Sequence, residues 1–353
     1  MIKDFTFPGL ATRVVFGSGT LAQTGVEVAR LGHSRVLVLS TPHQQPEAEA
    51  LAAGLGGLAA GVFAGAAMHT PTEVTEAALA VFADAGATAV VALGGGSTTG
   101  LGKAIAARTG ADQVVIPTTY AGSEMTDILG ETANGMKTTR RDPSIRPEVV
   151  IYDVDLTLTL PVAMTMTSGM NAIAHAMEAF YASDRNPIIE LMCRDALRAF
   201  KAGLPILTHD PQNRQARAEA LYGAWLCSTA LGYVTMALHH KLAHVLGGSF
   251  NTPHAETHAI LLPHTAAFNA VAVPDLLAPL TQTFGSAPGG GLWDFAQDIG
   301  APSRLADLGL SEADLDRAAE IAVQNPYANP RRFDRADIRT LLQAAYDGQR
   351  PST

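Results

Sequence analysis

Of the chain's eleven histidines, six stand between positions 239 and 264: His239, His240, His244, His254, His258 and His264. A lone histidine is ordinarily a satisfied core or surface residue, and six in so short a run exceed what that reading explains. Converging imidazoles either bind a transition metal through bare ring nitrogens or move protons near neutral pH, and the spacing leaves both open. His240 and His244 are four apart, as are Asn171 and His175 in Asn171-Ala-Ile-Ala-His175-Ala-Met-Glu178. Each pair therefore shares one face of a helix. Tyr327, in Asn325-Pro-Tyr327-Ala-Asn-Pro, is either a proton-moving phenol or a packed loop residue. Lys241 and Arg331 could meet a carboxylate, although solvated surface charge is the plainer reading of both.

A second chemistry is carried by glycines and hydroxyls. Gly94-Gly95-Gly96-Ser97-Thr98-Thr99-Gly100-Leu-Gly-Lys103 lies between an apolar run and a helical one. Consecutive glycines let the backbone approach a phosphate, and the following helix N-terminus offers unpaired N–H groups, so the run reads as a diphosphate cradle or as a plain glycine-rich turn. The segment Pro117-Thr118-Thr119-Tyr120-Ala121-Gly122-Ser123-Glu124-Met125-Thr126 is dense in hydroxyls that bond phosphate and ribose, or cap a helix. Two polar loops at neighbouring strand ends point to one crevice, where ligands of open α/β sheets bind. Gly17-Ser-Gly19-Thr-Leu-Ala22 matches a dinucleotide fingerprint but precedes the first strong strand, so it reads as an ordinary turn.

The elements that must position these groups divide near Pro161. Before it, strand signals at Arg35–Ser40, Gly61–Phe63, Thr88–Leu93, Gln113–Ile116 and Val149–Tyr152 alternate with helical runs such as Glu47–Leu58, Thr72–Ala85 and Thr99–Thr109. That rhythm predicts a parallel sheet covered on both faces. After it, Pro161–Ala182, Pro187–Ala202, Arg214–Gly247 and Ser311–Ala319 read as helices. At 353 residues two domains are expected, 1–160 and 161–353: an α/β dinucleotide-binding domain followed by an all-α domain. A hydrophobic share of 47% excludes disorder, and a net charge of −9 with no basic cluster argues against nucleic acid. Cys193 and Cys227 sit in apolar runs and read as buried free thiols of a reducing compartment. Met1 to Leu10 has no apolar signal core and no stretch is long enough to span a bilayer, so a cytoplasmic protein without membrane contact is expected.

In this order, the glycine loop, the hydroxyl loop, the Asn171/His175 helix and the His240…His244…Asn251-Thr-Pro-His254 run resemble the iron-containing (group III) alcohol dehydrogenase superfamily over nearly the whole chain. The resemblance implies that superfamily's dehydroquinate synthase-like fold, with catalysis in the cleft between an α/β domain and a helical domain. Metal enzymes of the superfamily use one Asp and three His as ligands. His175, His240 and His254 match the three His, but Asn171 stands at the Asp position, and Gly100 stands where the glycine loop usually has Asp. Both departures, with the 118–126 sequence, resemble the branch that reduces the double bond of maleylacetate, a small dicarboxylate, without a metal. A neutral amide is a poor partner for iron or zinc, although three His and water suffice for zinc elsewhere.

On that resemblance, Gly94, Gly95, Gly96 and Ser97 hold the diphosphate of a nicotinamide cofactor, and Thr118, Thr119 and Thr126 bond phosphate or ribose. Ser40 meets the adenosine ribose, and without an acidic residue there both NADH and NADPH are admitted. His175, His240, His244 and His254 share substrate anchoring and proton donation, with His244 the first choice of donor and Tyr327 a weaker one. A homodimer is implied. The competing readings are a metal-dependent alcohol or polyol dehydrogenase of the same superfamily and a lyase of the dehydroquinate synthase type; Asn171 argues against the latter.

Overall fold

The computed structural model describes residues 5–133, 136–324 and 327–352, apart from the side chain of Lys137. Asn325 and Pro326 of the Tyr327 loop, and the start of the Met1–Leu10 stretch, lie outside the described residues. The chain forms two compact units, Pro8–Leu160 and Pro161–Thr353, the latter joined by the beginning of the chain through Phe7. The Phe7 ring stands 5.8 Å from that of Tyr233 in the helical unit.

The first unit contains β1 (Arg13–Gly17), α1 (Thr24–Arg30), β2 (Val36–Leu39), α2 (Gln45–Leu55), β3 (Ala59–Phe63), α3 (Thr72–Asp84), β4 (Ala89–Gly94), α4 (Gly96–Thr109), β5 (Asp112–Pro117), β6 (Ile128–Ala133), β7 (Met136–Arg141) and β8 (Val149–Asp153). Six strands pair in parallel in the order β1-β8-β5-β4-β2-β3. Residues of β2 and β4 are buried throughout, as expected for strands covered on both faces. From β2 the chain moves outward to β3 and then back across to β4, so the order reverses between β2 and β4. Ser40, Gly95 and Thr118 follow the carboxyl ends of β2, β4 and β5, beside that switch point.

Three strands have no counterpart in the sequence reading. β1 is a short edge strand with only Val15 buried, and β6 and β7 form a separate antiparallel pair of largely polar residues. None carries the apolar run that betrays a central strand. The missed β1 matters, because Gly17–Ala22 does follow a strand. The loop still offers nothing to a ligand at Gly19 and Leu21, whose N–H groups donate to the Asp153 carboxylate at 3.0 and 2.7 Å.

The second unit is helical: α5 (Val162–Tyr181), α6 (Pro187–His209), α7 (Arg214–Tyr233), α8 (Leu238–Phe250), α9 (His254–Ala270), α10 (Pro274–Phe284), α11 (Pro288–Asp298), α12 (Glu312–Ala322) and α13 (Arg335–Asp347). α5 is buried on nearly every side, which its Ala- and Met-rich sequence permits. The single helix expected over 214–247 is broken at Val234–Ala237, and α7 and α8 meet at 94°. No Pro or Gly marks the break. Side chains from outside those two helices hold it: Asp184 accepts from Thr235, and Glu178 accepts from the N–H groups of Ala237 and His239. Leu242, Leu246, Ile260, Leu315 and Leu342 form the core beneath α8 and α9. Cys193 and Cys227 are buried and unpaired with each other, and burial pushes both thiols up. Among the described residues no single helix is long and apolar enough to cross a membrane.

Candidate active site

In the helical unit, α5, α8 and α9 bring the imidazoles together. His175 stacks on His240 with centroids 5.1 Å apart, His240 lies 4.9 Å from His258, and His254 lies 4.4 Å from His258. His244 contacts His240 at 6.2 Å and His254 at 6.5 Å. The cluster has an inner end of buried rings, His175, His239, His240 and His258, and an outer end of exposed ones, His244 and His254. His264 stands apart against Trp293.

Glu178 organises the inner end. Its carboxylate accepts from His240 Nδ1 at 2.7 Å, from the N–H groups of Ala237 and His239 at 2.9 and 2.8 Å, and from Tyr181 Oη at 3.2 Å. Burial alone would raise its pKa, but the bond and charge of His240, with His239 and the Ala237 N–H, hold it down to about 2. The ionised carboxylate also sits at the N-terminus of α8, where the helix dipole favours it. Because a carboxylate only accepts, the proton in the Glu178–His240 bond is on Nδ1, and His240 Nε2 faces the cluster without a partner. Burial first, then the neighbouring rings His240, His254 and His239, push His175 well below its ordinary value. Burial likewise carries His239 down to about 3 and His258 well below the histidine range.

Glu178, His239 and His258 escaped the sequence reading as site residues. The signal for Glu178 was its spacing, three after His175 and seven after Asn171, which puts all three on one face of α5. Tyr327 is half-buried with its hydroxyl unpartnered, and burial followed by the Glu178 charge raises its pKa. The Lys241 ammonium lies 5.7 Å from the Tyr327 ring centroid. Arg331 is committed elsewhere, stacked 3.9 Å over Phe268 and 3.4 Å from the Asp337 carboxylate.

In the α/β unit the glycine loop is open. Gly94 has φ 151°, and a Cβ there would collide with the Thr98 hydroxyl; one on Gly95 would press on Thr119 at 3.1 Å. Gly95 caps α4 without a side chain, so the first-turn N–H groups, Ser97 among them, remain available to an anion. Ser40 Oγ and Thr98 Oγ1 are buried without a partner, as hydroxyls awaiting a ligand would be. Thr118 accepts from Gln44 Nε2 at 3.1 Å and keeps its own proton to give. Thr126 differs. It is buried, its hydroxyl donates to Ser123 O at 3.1 Å and accepts from Lys103 Nζ at 2.8 Å, and it also accepts from the Ile128 N–H. Where the sequence reading sets Thr126 against cofactor, its hydroxyl is here engaged within its own loop.

The profile described as iron-containing alcohol dehydrogenase matches residues 11–154, and that of the Fe-containing alcohol dehydrogenase family, C-terminal, matches residues 165–346. This chain belongs to the iron-containing alcohol dehydrogenase family. Among its relatives, maleylacetate reductase of Rhizobium sp. (strain MTP-10005) is 59% identical over 350 residues, spanning 99% of this chain and 100% of that one. Maleylacetate reductase 1 of Rhodococcus opacus is 49% identical over 351 residues, spanning 99% and 98%. The crystal structure of maleylacetate reductase from Agrobacterium tumefaciens matches with a TM-score of 0.97 at 59% identity, covering 99% of this chain and 100% of that one. The fold is thus that of the family, an α/β part followed by a helical part.

The family's name implies iron, and the donor set of this member does not fit it. Asn171 offers a neutral amide oxygen, a poorer iron ligand than a carboxylate, and the Glu178 carboxylate is already filled by four donors.

Proposed function

We propose that this chain is a maleylacetate reductase, reducing the carbon–carbon double bond of maleylacetate to give 3-oxoadipate with NADH or NADPH and without a metal. The observation that carries the reading is Asn171 on a buried imidazole cluster: the ring nitrogens are kept, and the anion that would bind a cation is not. Full-length identity to relatives of that name supports the substrate.

The bound nicotinamide supplies the hydride. Gly94, Gly95, Gly96 and Ser97 would hold its diphosphate on backbone N–H groups, Thr118 and Thr119 would offer hydroxyls to phosphate or ribose, and Ser40 would meet the adenosine ribose. Ser40-Thr41 brings no negative charge to repel a 2′-phosphate, so either cofactor is accommodated. Hydride adds to the alkene carbon β to the ketone, and negative charge develops on the ketone oxygen. His175, His240, His244 and His254 share substrate anchoring and proton donation, and His244, at the exposed end of the cluster, is the first choice of donor. Tyr327 lies close enough to Glu178 to feel its charge and is the second donor. The enzyme works in the cytoplasm as a homodimer.

The test is turnover of maleylacetate with NADH or NADPH by chelator-treated enzyme. Retained activity supports the reading. Activity lost to chelator and restored by iron or zinc would sink the metal-free mechanism in favour of a metal-dependent dehydrogenase. His244→Ala should lower kcat more than it raises KM.

A further inference from the structure

Two buried rings of the cluster have no part in that mechanism, His239 and His258. His239 Nδ1 lies 2.9 Å from Thr265 Oγ1, and His239 Nε2 lies 2.8 Å from His258 Nδ1. Thr265 has a single hydroxyl proton, directed at the carbonyls of Leu261 and Leu262 in the preceding turn, at 3.0 and 3.2 Å. With that proton on a carbonyl, Thr265 meets His239 as an acceptor and the proton between them belongs to His239 Nδ1. An uncharged His239 then has a bare Nε2, which places the next proton on His258 Nδ1. His258 Nε2 is left bare, and it is buried without a partner. The opposite assignment would bury an unpaired N–H, a rarer defect than an unpaired acceptor.

We infer that Thr265 and His239 are positioning residues that lock His258 in its Nδ1–H tautomer, so that His258 meets the substrate as a hydrogen-bond acceptor. The role toward substrate rests on the reductase reading; the tautomer lock does not. His258 is 4.4 Å from His254 and 4.9 Å from His240, centroid to centroid, so its ring belongs to the cluster. A bare nitrogen repels an ionised carboxylate and takes an O–H donor. Hydride addition at the β carbon, with a proton from another imidazole on the ketone oxygen, gives a neutral enol whose O–H suits this acceptor. The O–H proton passes to His258 Nε2 as the ketone re-forms, the α carbon takes a proton from water, and the hydroxide left recovers the proton from His258. The substrate carboxylates then fall to the other rings.

Nitrogen NMR of isotope-labelled histidines in the full-length enzyme, without substrate, reads the lock directly. His239 and His258 should each show a protonated Nδ1 and a bare Nε2. Thr265→Val should lose this pattern at His239, and Thr265→Ser should restore it. A wild-type His258 protonated at Nε2 overturns the inference, whether or not the enzyme reduces maleylacetate. The expected tautomers without maleylacetate turnover would leave the lock standing and remove the reductase reading instead. For the role in turnover, His258→Phe should lower kcat about tenfold or more with KM changed by less than about twofold, the pattern of an interaction made late in the reaction. A change confined to KM would make His258 a carboxylate anchor and overturn the acceptor role.

Discussion

The α/β unit and the helical unit handle polar groups in opposite ways. Around Gly94–Ser97 the donors are backbone N–H groups and small hydroxyls, kept open by the absence of side chains. In the helical unit they are ring nitrogens whose protons are assigned one by one, by Glu178 for His240 and by Thr265 for His239. A backbone cradle binds any suitable phosphate and says little about the reaction. An imidazole cluster is specific, because moving one proton changes a donor into an acceptor. Damage to the first unit should therefore appear in cofactor affinity, and damage to the second in turnover.

The sharpest test of that division is Glu178→Ala. Without its carboxylate, His240 loses the partner that fixes its tautomer, and kcat should fall by about 10²–10³, the range of a misplaced acid–base group. Cofactor Kd, read by fluorescence titration, should not change; a parallel loss of affinity would break the comparison. Glu178 also carries a pH signature. Its pKa falls from 4.5 to about 2 on folding, so its stabilising contribution is complete above the unfolded value and is lost as pH drops through the folded one. Denaturant unfolding of wild type and Glu178→Gln should therefore converge as pH falls from 4.5 towards 2.

The converse experiment is Gly95→Ala. The added Cβ presses on Thr119 and narrows the approach to the loop. NAD(P)H Kd should rise about tenfold, with kcat at saturating cofactor within about twofold, the mark of lost uniform binding. A variant that binds normally but turns over slowly would contradict the proposed division.

How legible each unit was follows from the same contrast. β2, β4 and β5 were readable because central parallel strands are continuous apolar runs, those of β4 and β5 stopped by Gly94 and Pro117. β1, β6 and β7 were not, since edge and hairpin strands need no such run. The break between α7 and α8 was invisible because its cause, the carboxylates of Asp184 and Glu178, lies about 50 residues or more away in sequence. His175, His240, His244 and His254 were identifiable by type and spacing. The proton assignments that set their chemistry were not, because they depend on which oxygen faces which ring. Thr126 shows the same limit: nothing in a hydroxyl-rich sequence tells a hydroxyl held by Lys103, Ser123 and Ile128 from one left open.

Within the α/β unit, Asp153 separates a loop that is closed from one that is open. Its carboxylate accepts from Gly19 and Leu21 in the first glycine turn, and from Asp155. Asp153→Ala leaves these N–H groups without their anion and should cost about 1–3 kcal/mol of stability, measured by urea unfolding. Cofactor Kd should stay at the wild-type value, since nothing in the Gly94 loop depends on that carboxylate. A weakened Kd would mean that the first loop takes part in cofactor binding after all.

The smallest expected effect belongs to Thr126→Val, which tests a reassigned residue. Valine keeps the shape and removes the hydroxyl that Lys103 Nζ meets at 2.8 Å. Lys103 retains the Ser123 and Ile128 carbonyls, and the hydroxyl's other two bonds, to Ser123 O and from the Ile128 N–H, are long at 3.1 and 3.3 Å, so the loss should be about 1 kcal/mol. If Thr126 only folds its loop, cofactor Kd should move by less than about twofold while the thermal midpoint drops. Thr118→Val is the matched control. Its hydroxyl has a proton to give a ligand, so it should weaken NAD(P)H binding by about three- to tenfold with little change in stability. Opposite patterns in two threonines eight positions apart would show that the crevice is read by the open hydroxyl and held in shape by the buried one. Equal losses of affinity would return Thr126 to the cofactor site.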